Sequence, residues 1–447
     1  MGYRLGDDRT SLCYTSSCST SDVASLRFKL IRVTPVSIER SCEFTFFAVH
    51  QQTFSPINCD ANATFGVSAS LVQELSAEAG SWGNPSSIHQ SGQRARAVVE
   101  EARESVRAVL GAGHRDTVVW TSGATEANNL IIRGFARLAR QTVIVSSPFE
   151  HPAVLEVARQ VGKLPGWQLR LLGVKGHQLD LDSLDEMVEG AGVISLMLAN
   201  NETGVIYPIP EIVRAIRHVS PGALIHVDAV QGVSRMPVQM AEWGVDAMTI
   251  SGHKLGAFPG VGAAVIRAGL SFEGELLGGN QESGMRAGTQ PVPAIHSLLK
   301  ALAQLQESGG VAGRSARMAA NRAAFLEGFA PETGVLTVPL TIPTVPNTAS
   351  IRIPGVSADY LVVSADLHGV LISSGSACSS GTQRPSPVLL TAGFSEQEAR
   401  ETIRVSVTDS TEVADFRRAG KIVAECAQRL RVATRSAQGV LNQALER

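Results

Sequence analysis

The residue in this chain with the clearest chemical use is a lysine. The segment Asp246-Ala-Met-Thr-Ile-Ser-Gly-His-Lys-Leu-Gly256 reads as a short apolar strand that ends in Ser251-Gly252-His253-Lys254. An amine at the carboxyl end of a strand, among small polar residues, can condense with a carbonyl when its surroundings favour the neutral form. A second strand, Leu224-Ile-His-Val-Asp228, ends in a carboxylate. A lysine for an aldehyde and a carboxylate for a pyridinium nitrogen are the pair that a pyridoxal 5'-phosphate (PLP) site requires. The plainer alternative is a surface lysine after an edge strand. Only six of the 39 basic residues are lysines, so a lysine at this position reads as selected for its amine.

Other segments carry groups that suit such a site. Val118-Val-Trp-Thr121 reads as a strand running into Ser122-Gly-Ala-Thr-Glu-Ala-Asn-Asn129, which opens a helix. A strand, a small-residue turn and a helix start present backbone N–H groups and a positive dipole end to a phosphate. The same residues also make an ordinary helix cap. Thr142-Val-Ile-Val-Ser146 leads to Phe149-Glu-His151-Pro152, and a strand over 193–198 leads to Ala199-Asn200-Asn201-Glu-Thr-Gly204. A helix over 209–219 precedes the Asp228 strand, and Gly262-Ala-Ala-Val-Ile266 reads as a strand returning after the lysine. This alternation predicts an α/β fold with a mostly parallel sheet. Ligands of such sheets sit beyond the carboxyl ends of the strands, where Thr125, His151, Asn201, Asp228 and Lys254 all fall. A cap or a satisfied core group explains any one of them; five on one edge point to a site.

At 447 residues and 44% hydrophobic, the chain is long enough for one large and one smaller lobe. A net charge of −2, with both signs dispersed, argues against a nucleic-acid or membrane surface. No apolar stretch approaches the roughly 18–20 residues of a membrane span. Residues 1–55, rich in Ser, Thr and Cys, show no sustained period and read as a disordered leader or a start placed too far upstream. Residues 56–305 read as the large domain, its first residues packing with the small one, and 306–447 as a smaller α+β C-terminal domain. Cys13, Cys18, Cys42, Cys59, Cys378 and Cys426 form no CxxC pair and no zinc-ligand spacing. A disulfide framework or metal site is not expected, and a reducing cytoplasm fits best. Cys378 stands apart, in Ser373-Ser-Gly-Ser-Ala-Cys378-Ser-Ser-Gly381: its small neighbours suit an accessible loop, where a thiol can act as a nucleophile. The bland alternative is a silent loop cysteine.

Eight segments in order (GNPSSIH, TSGATEANN, EHPAV, ANNETGV, HVDAVQ, SGHK, GMRAGT and SSGSACSS) make the chain from about Ile57 to its end resemble the cysteine desulfurases. The resemblance is to the iron–sulfur and nitrogenase assembly group of the class V aminotransferases. It implies a fold-type I PLP-dependent transferase acting as a homodimer. Lys254 is then the Schiff-base residue, Asp228 the partner of the pyridinium, Gln231 a contact to the phenolic oxygen, and His151 the ring-stacking residue that helps move protons. Ala124, Thr125, Ser251 and His253 hold the phosphate, and Thr289 reaches the phosphate of the other subunit. Asn201 and Arg404 lie near the substrate carboxylate, and Cys378 is the nucleophile. L-cysteine would give L-alanine, with the sulfur kept on Cys378 as a persulfide for an acceptor protein such as a cluster scaffold. The alternative is a class V aminotransferase or a selenocysteine lyase. The chain departs from the family pattern at Ala257-Phe258-Pro259, at Asn280 and Ser283, and at Val407-Thr-Asp409, positions near the expected substrate or dimer surface.

Overall fold

The structure is a computed structural model that describes residues 27–30, 42–45, 56–375 and 385–445. The chain divides into two units, 1–55 and 56–447. In the first, Arg27–Leu30 pairs antiparallel with Cys42–Thr45. Four residues on each side are too few for a period to be read in the sequence.

The second unit is built on a seven-stranded sheet. Its strands run in the order Thr117–Thr121, Gly262–Ile266, Ala247–Ser251, Leu224–Asp228, Val193–Met197, Val143–Ser146 and Gln168–Leu171. All neighbours are parallel except Gly262–Ile266, which is antiparallel to both of its partners. Three strands are buried along their whole length, because helices cover both faces; they therefore read as continuous apolar runs and not as alternation. Helices Gln90–Leu110, Ile209–Val219 and Val292–Glu307 pack one face, and Ala124–Leu138 and Pro152–Val161 the other.

A smaller sheet follows, in the order Val335–Leu336, Thr348–Arg352, Thr402–Ser406 and Ser373–Ser374. Its core gathers Phe325, Leu361, Ile403, Val405 and Phe416. The long helix Val413–Leu445 lies close on Gly310–Phe329, since a Cβ on Gly420 would meet the Phe325 carbonyl at 2.1 Å. Ile57–Asn58 belongs to this lobe: it pairs in parallel with Val370–Leu371, and Ile57 and Cys59 sit in the small-lobe core. The chain then crosses to the large sheet.

The glycine-rich segment over 278–289 carries its buried charge at Glu282. Both carboxylate oxygens of Glu282 accept from Arg103, at 2.8 and 2.9 Å, and one also accepts from the Trp120 N–H at 2.9 Å. Glu282 and Ser283 both adopt left-handed backbone, with φ 49° and 55°. Ion pairing and burial hold a conformation that ordinarily favours glycine.

His226, on the central strand, is fully buried between Ser195 Oγ and Thr249 Oγ1, at 2.9 and 3.0 Å. Burial lowers its pKa from 6.5 to about 3. At neutral pH the imidazole is uncharged folded or unfolded. Below about pH 6.5 the unfolded chain binds a proton that the native state refuses until about pH 3, so stability falls with pH across that window. The slope from this residue is about 1.4 kcal/mol per pH unit. Replacing His226 with Gln is expected to reduce the pH slope of the unfolding free energy by about one proton, measured by urea titrations between pH 6 and 4.

Candidate active site

Five strand ends open on one cavity of about 570 Å³, within the range of small-molecule sites. From the Thr117–Thr121 strand come Ala124 and Thr125; after Val143–Ser146 comes His151; after Val193–Met197 comes Asn201. Asp228 and Gln231 follow the next strand, and Ser251, His253 and Lys254 the one beyond. Arg404 reaches the same space from the small lobe. Thr289 is exposed and is not among the residues lining the cavity. Cys378 lies outside the described residues.

The turn before helix Ala124–Leu138 lines the cavity, and the first amides of a helix, which have no carbonyl one turn earlier, suit an anion there. Glu126 takes the Ser122 N–H at 2.7 Å and pairs with Arg286 at 2.8 Å. Burial raises the Glu126 carboxyl; the bonds from Arg286 and Ser122 outweigh it and hold it below the usual value.

Asp228 is fixed at both oxygens: Oδ2 accepts from Asn128 Nδ2 at 2.8 Å and Oδ1 from the Val230 N–H at 3.0 Å. Lys254 Nζ donates to the carbonyls of Asn62 and Ala63, at 2.5 and 2.7 Å. His151 caps helix Pro152–Val161 by accepting the Ala153 N–H at Nδ1, 3.1 Å, which assigns the ring proton to Nε2. Burial lowers the His151 pKa, with Asp228 opposing and Lys254 reinforcing. Burial, then Lys254, brings His253 down to about 4. Both rings are therefore neutral bases at pH 7.

Two carboxyls sit just behind the cavity. Glu150 accepts the Met197 N–H at 2.6 Å through Oε1. Burial and then the charge of Asp228 push its pKa well up. Burial raises Glu202 to about 7 against the Ser386 hydroxyl and Arg404. Arg404, 2% exposed, donates Nη2–H to Asp60 Oδ1 at 2.7 Å and Nη1–H to the Asn201 carbonyl at 3.2 Å.

Several of these residues carry no sequence signal of their own. Asn128 lies within TSGATEANN, but only the helix turn brings it under Asp228. Asn62 lies in a run of small and polar residues, Asp60-Ala-Asn-Ala-Thr64, that carries no motif of its own. In the structure its carbonyl also accepts from Gln231 Nε2 at 3.2 Å, and its side chain bonds the Asn201 carbonyl, Thr348 Oγ1 and Asn347 Nδ2. Gly262 is a further case: it pairs between Thr121 and Ser251, and a Cβ there would meet Gly123 backbone at 2.7 Å. Gly262→Ala must push the turn before helix Ala124–Leu138 outward. It is expected to lower the unfolding free energy by about 1–3 kcal/mol, measured by urea titration.

Residues 57–418 match the family described as "Aminotransferase class-V". A cysteine desulfurase of Trichormus azollae is 37% identical over 386 residues, which cover 84% of this chain and 94% of that protein. A solved structure described as a NifS-like protein superposes with a TM-score of 0.76 at 29% identity, covering 84% of this chain and all of that one. Another, SspA in complex with cysteine, gives 0.65 at 25% identity over 80% of this chain and 100% of its own length. With an amine, a doubly held carboxylate and a helix-start turn on one sheet edge, the chain belongs to the class-V aminotransferase family.

Proposed function

We propose that the chain is a cysteine desulfurase that converts L-cysteine to L-alanine and keeps the sulfur as a persulfide on Cys378. The observation that carries this reading is the meeting of Lys254, Asp228 and Arg404 on one cavity, the first two from adjacent large-sheet strands and the third from the small lobe. The cavity fits PLP on its own chemistry. It offers a primary amine, a carboxylate fixed by two donors, a neutral imidazole and a helix-start turn, and the buried Gln231 Oε1 has no hydrogen-bond partner among the described residues. PLP, when bound, supplies an aldehyde for amines and a protonated ring that accepts electrons.

The chain's own residues then divide the work. Asp228, held by Asn128 and Val230, would face the ring nitrogen of the bound cofactor. Lys254 moves the Cα proton as acid and base, and the carbonyls of Asn62 and Ala63 hold its Nζ in place. His151, which bears its proton on Nε2, would stack on the ring of the bound cofactor, and Gln231 would contact the phenolic oxygen. Ala124, Thr125, Ser251 and His253 would hold the phosphate, and Thr289 would serve the phosphate of the second subunit of a homodimer. Arg404 and Asn201 take the substrate carboxylate. The Cys378 thiolate attacks the substrate sulfur; the carbon–sulfur bond breaks, its electron pair stays with carbon, and that carbon takes a proton to become the alanine methyl. The persulfide passes to a sulfur-acceptor protein such as a cluster scaffold. Cys59 and Cys426 are free and buried, which suits a reducing cytoplasm, and no described helix is long and apolar enough to cross a membrane.

The test is a single-turnover reaction of holoenzyme with L-cysteine, scoring alanine and protein-bound persulfide. Both are expected in stoichiometric amounts, and both are expected to fall by at least about 100-fold in Cys378→Ala. A keto acid product, or alanine that persists in Cys378→Ala, would replace this reading with an aminotransferase. A faster reaction with selenocysteine that does not need Cys378 would favour a selenocysteine lyase.

A further inference from the structure

Arg404 is a buried cation whose three nitrogens are used unequally. Nη2 donates to Asp60 Oδ1 at 2.7 Å and Nη1 to the Asn201 carbonyl at 3.2 Å, while the buried Nε has no partner among the described residues. A guanidinium on a long side chain has many rotamers, and a lone carboxylate ligand does not by itself choose among them. The choice is made here by a residue outside both sheets. Asp60 follows the Ile57–Asn58 strand, and its backbone bridges to Ser406 on the strand that carries Arg404. Its N–H is held by Asn58 Oδ1 at 2.8 Å, and the next amide, of Ala61, donates to the Ser406 carbonyl at 2.9 Å. The Asp60 carboxylate is therefore anchored to the same backbone as the arginine that it orients.

Resting on the desulfurase reading, we propose that Asp60 is a positioning residue for substrate binding: it fixes the orientation of the Arg404 guanidinium, which lines the cavity and takes the α-carboxylate of the amino acid. Charge-assisted bonds at fixed geometry are the strong ones, and a guanidinium oriented in advance gives up less freedom when substrate arrives. The opposite possibility is that Asp60 occupies the place of the substrate carboxylate and must be displaced. The two readings differ in sign. Removing a positioner weakens substrate binding, whereas removing a competitor strengthens it.

The experiment titrates holoenzyme carrying Cys378→Ala with L-cysteine and with cysteamine, the same amine and thiol without the carboxylate. Binding is followed by the change in cofactor absorbance. The parent is expected to prefer L-cysteine. In Asp60→Asn that preference is expected to shrink by about tenfold, with cysteamine affinity within about threefold of the parent and Asp60→Glu lying between. With Cys378 restored, the limiting single-turnover rate at saturating L-cysteine is expected to stay within about threefold, so the effect falls on binding. A purely structural role would weaken both ligands together. An unchanged preference, or tighter L-cysteine binding in Asp60→Asn, overturns the proposal. Should Asp60→Asn fail to fold, the same comparison is made with Asp60→Glu. If the parent shows no preference for L-cysteine, the assignment of Arg404 fails instead, and persistent turnover in Cys378→Ala marks a failure of the desulfurase reading.

Discussion

Lys254 Nζ lies against the carbonyls of Asn62 and Ala63, and through that contact the two lobes share one site. Residues 57–64 begin in the small-lobe core, bridge to the Arg404 strand and end beneath the lysine. Buried backbone and side-chain polar groups need partners, and an unsatisfied one costs about 1–3 kcal/mol. Asn62 meets that demand by bonding Asn201, Thr348, Asn347 and Ser406. The segment cannot shift without breaking several of these bonds at once. The position of the amine is thereby tied to that of the arginine.

Burial then sorts the ionisable groups around the cavity. Desolvation, then Asp228, raises the Glu150 carboxyl, and desolvation lowers His151 and His253. Asp228 has two fixed donors, and Arg404 has a carboxylate partner. A charge that keeps its hydrogen bonds can stay in a low-dielectric site, and one without them loses or gains a proton instead.

The departures from the family pattern have local consequences in the fold. Asp409 pairs with Arg314 and Arg317, at 3.1 and 3.0 Å, and the Arg314 guanidinium lies 4.3 Å over the Phe65 ring. Phe65 in turn donates its N–H to the His253 carbonyl. A substitution at the edge of the small lobe is therefore linked by contacts to the lysine turn. Ser283 occupies a left-handed position beside the buried Glu282–Arg103 pair, and Ala257 is buried against the large-lobe core.

Sequence by itself determined the sheet, the edge that carries the site and most of the residues on it. Strand and helix periods are local properties, and the rule that ligands lie beyond carboxyl strand ends turns them into a location; Ile209–Val219 and Gly262–Ile266 lie where their patterns place them. Lys254, Asp228, His151 and Asn201 were legible because each lies at the carboxyl end of a strand or in the turn just beyond it. Asn62, Asn128 and Asp60 were not legible as parts of the site, since nothing in their own neighbourhoods distinguishes them from turn or cap residues. Their roles come from bonds that span 192, 100 and 344 residues of chain. Only the tertiary structure decided which donor faces Asp228, which carbonyls hold the amine and which carboxylate orients Arg404. Those choices depend on distances between segments remote in sequence, which no local pattern encodes.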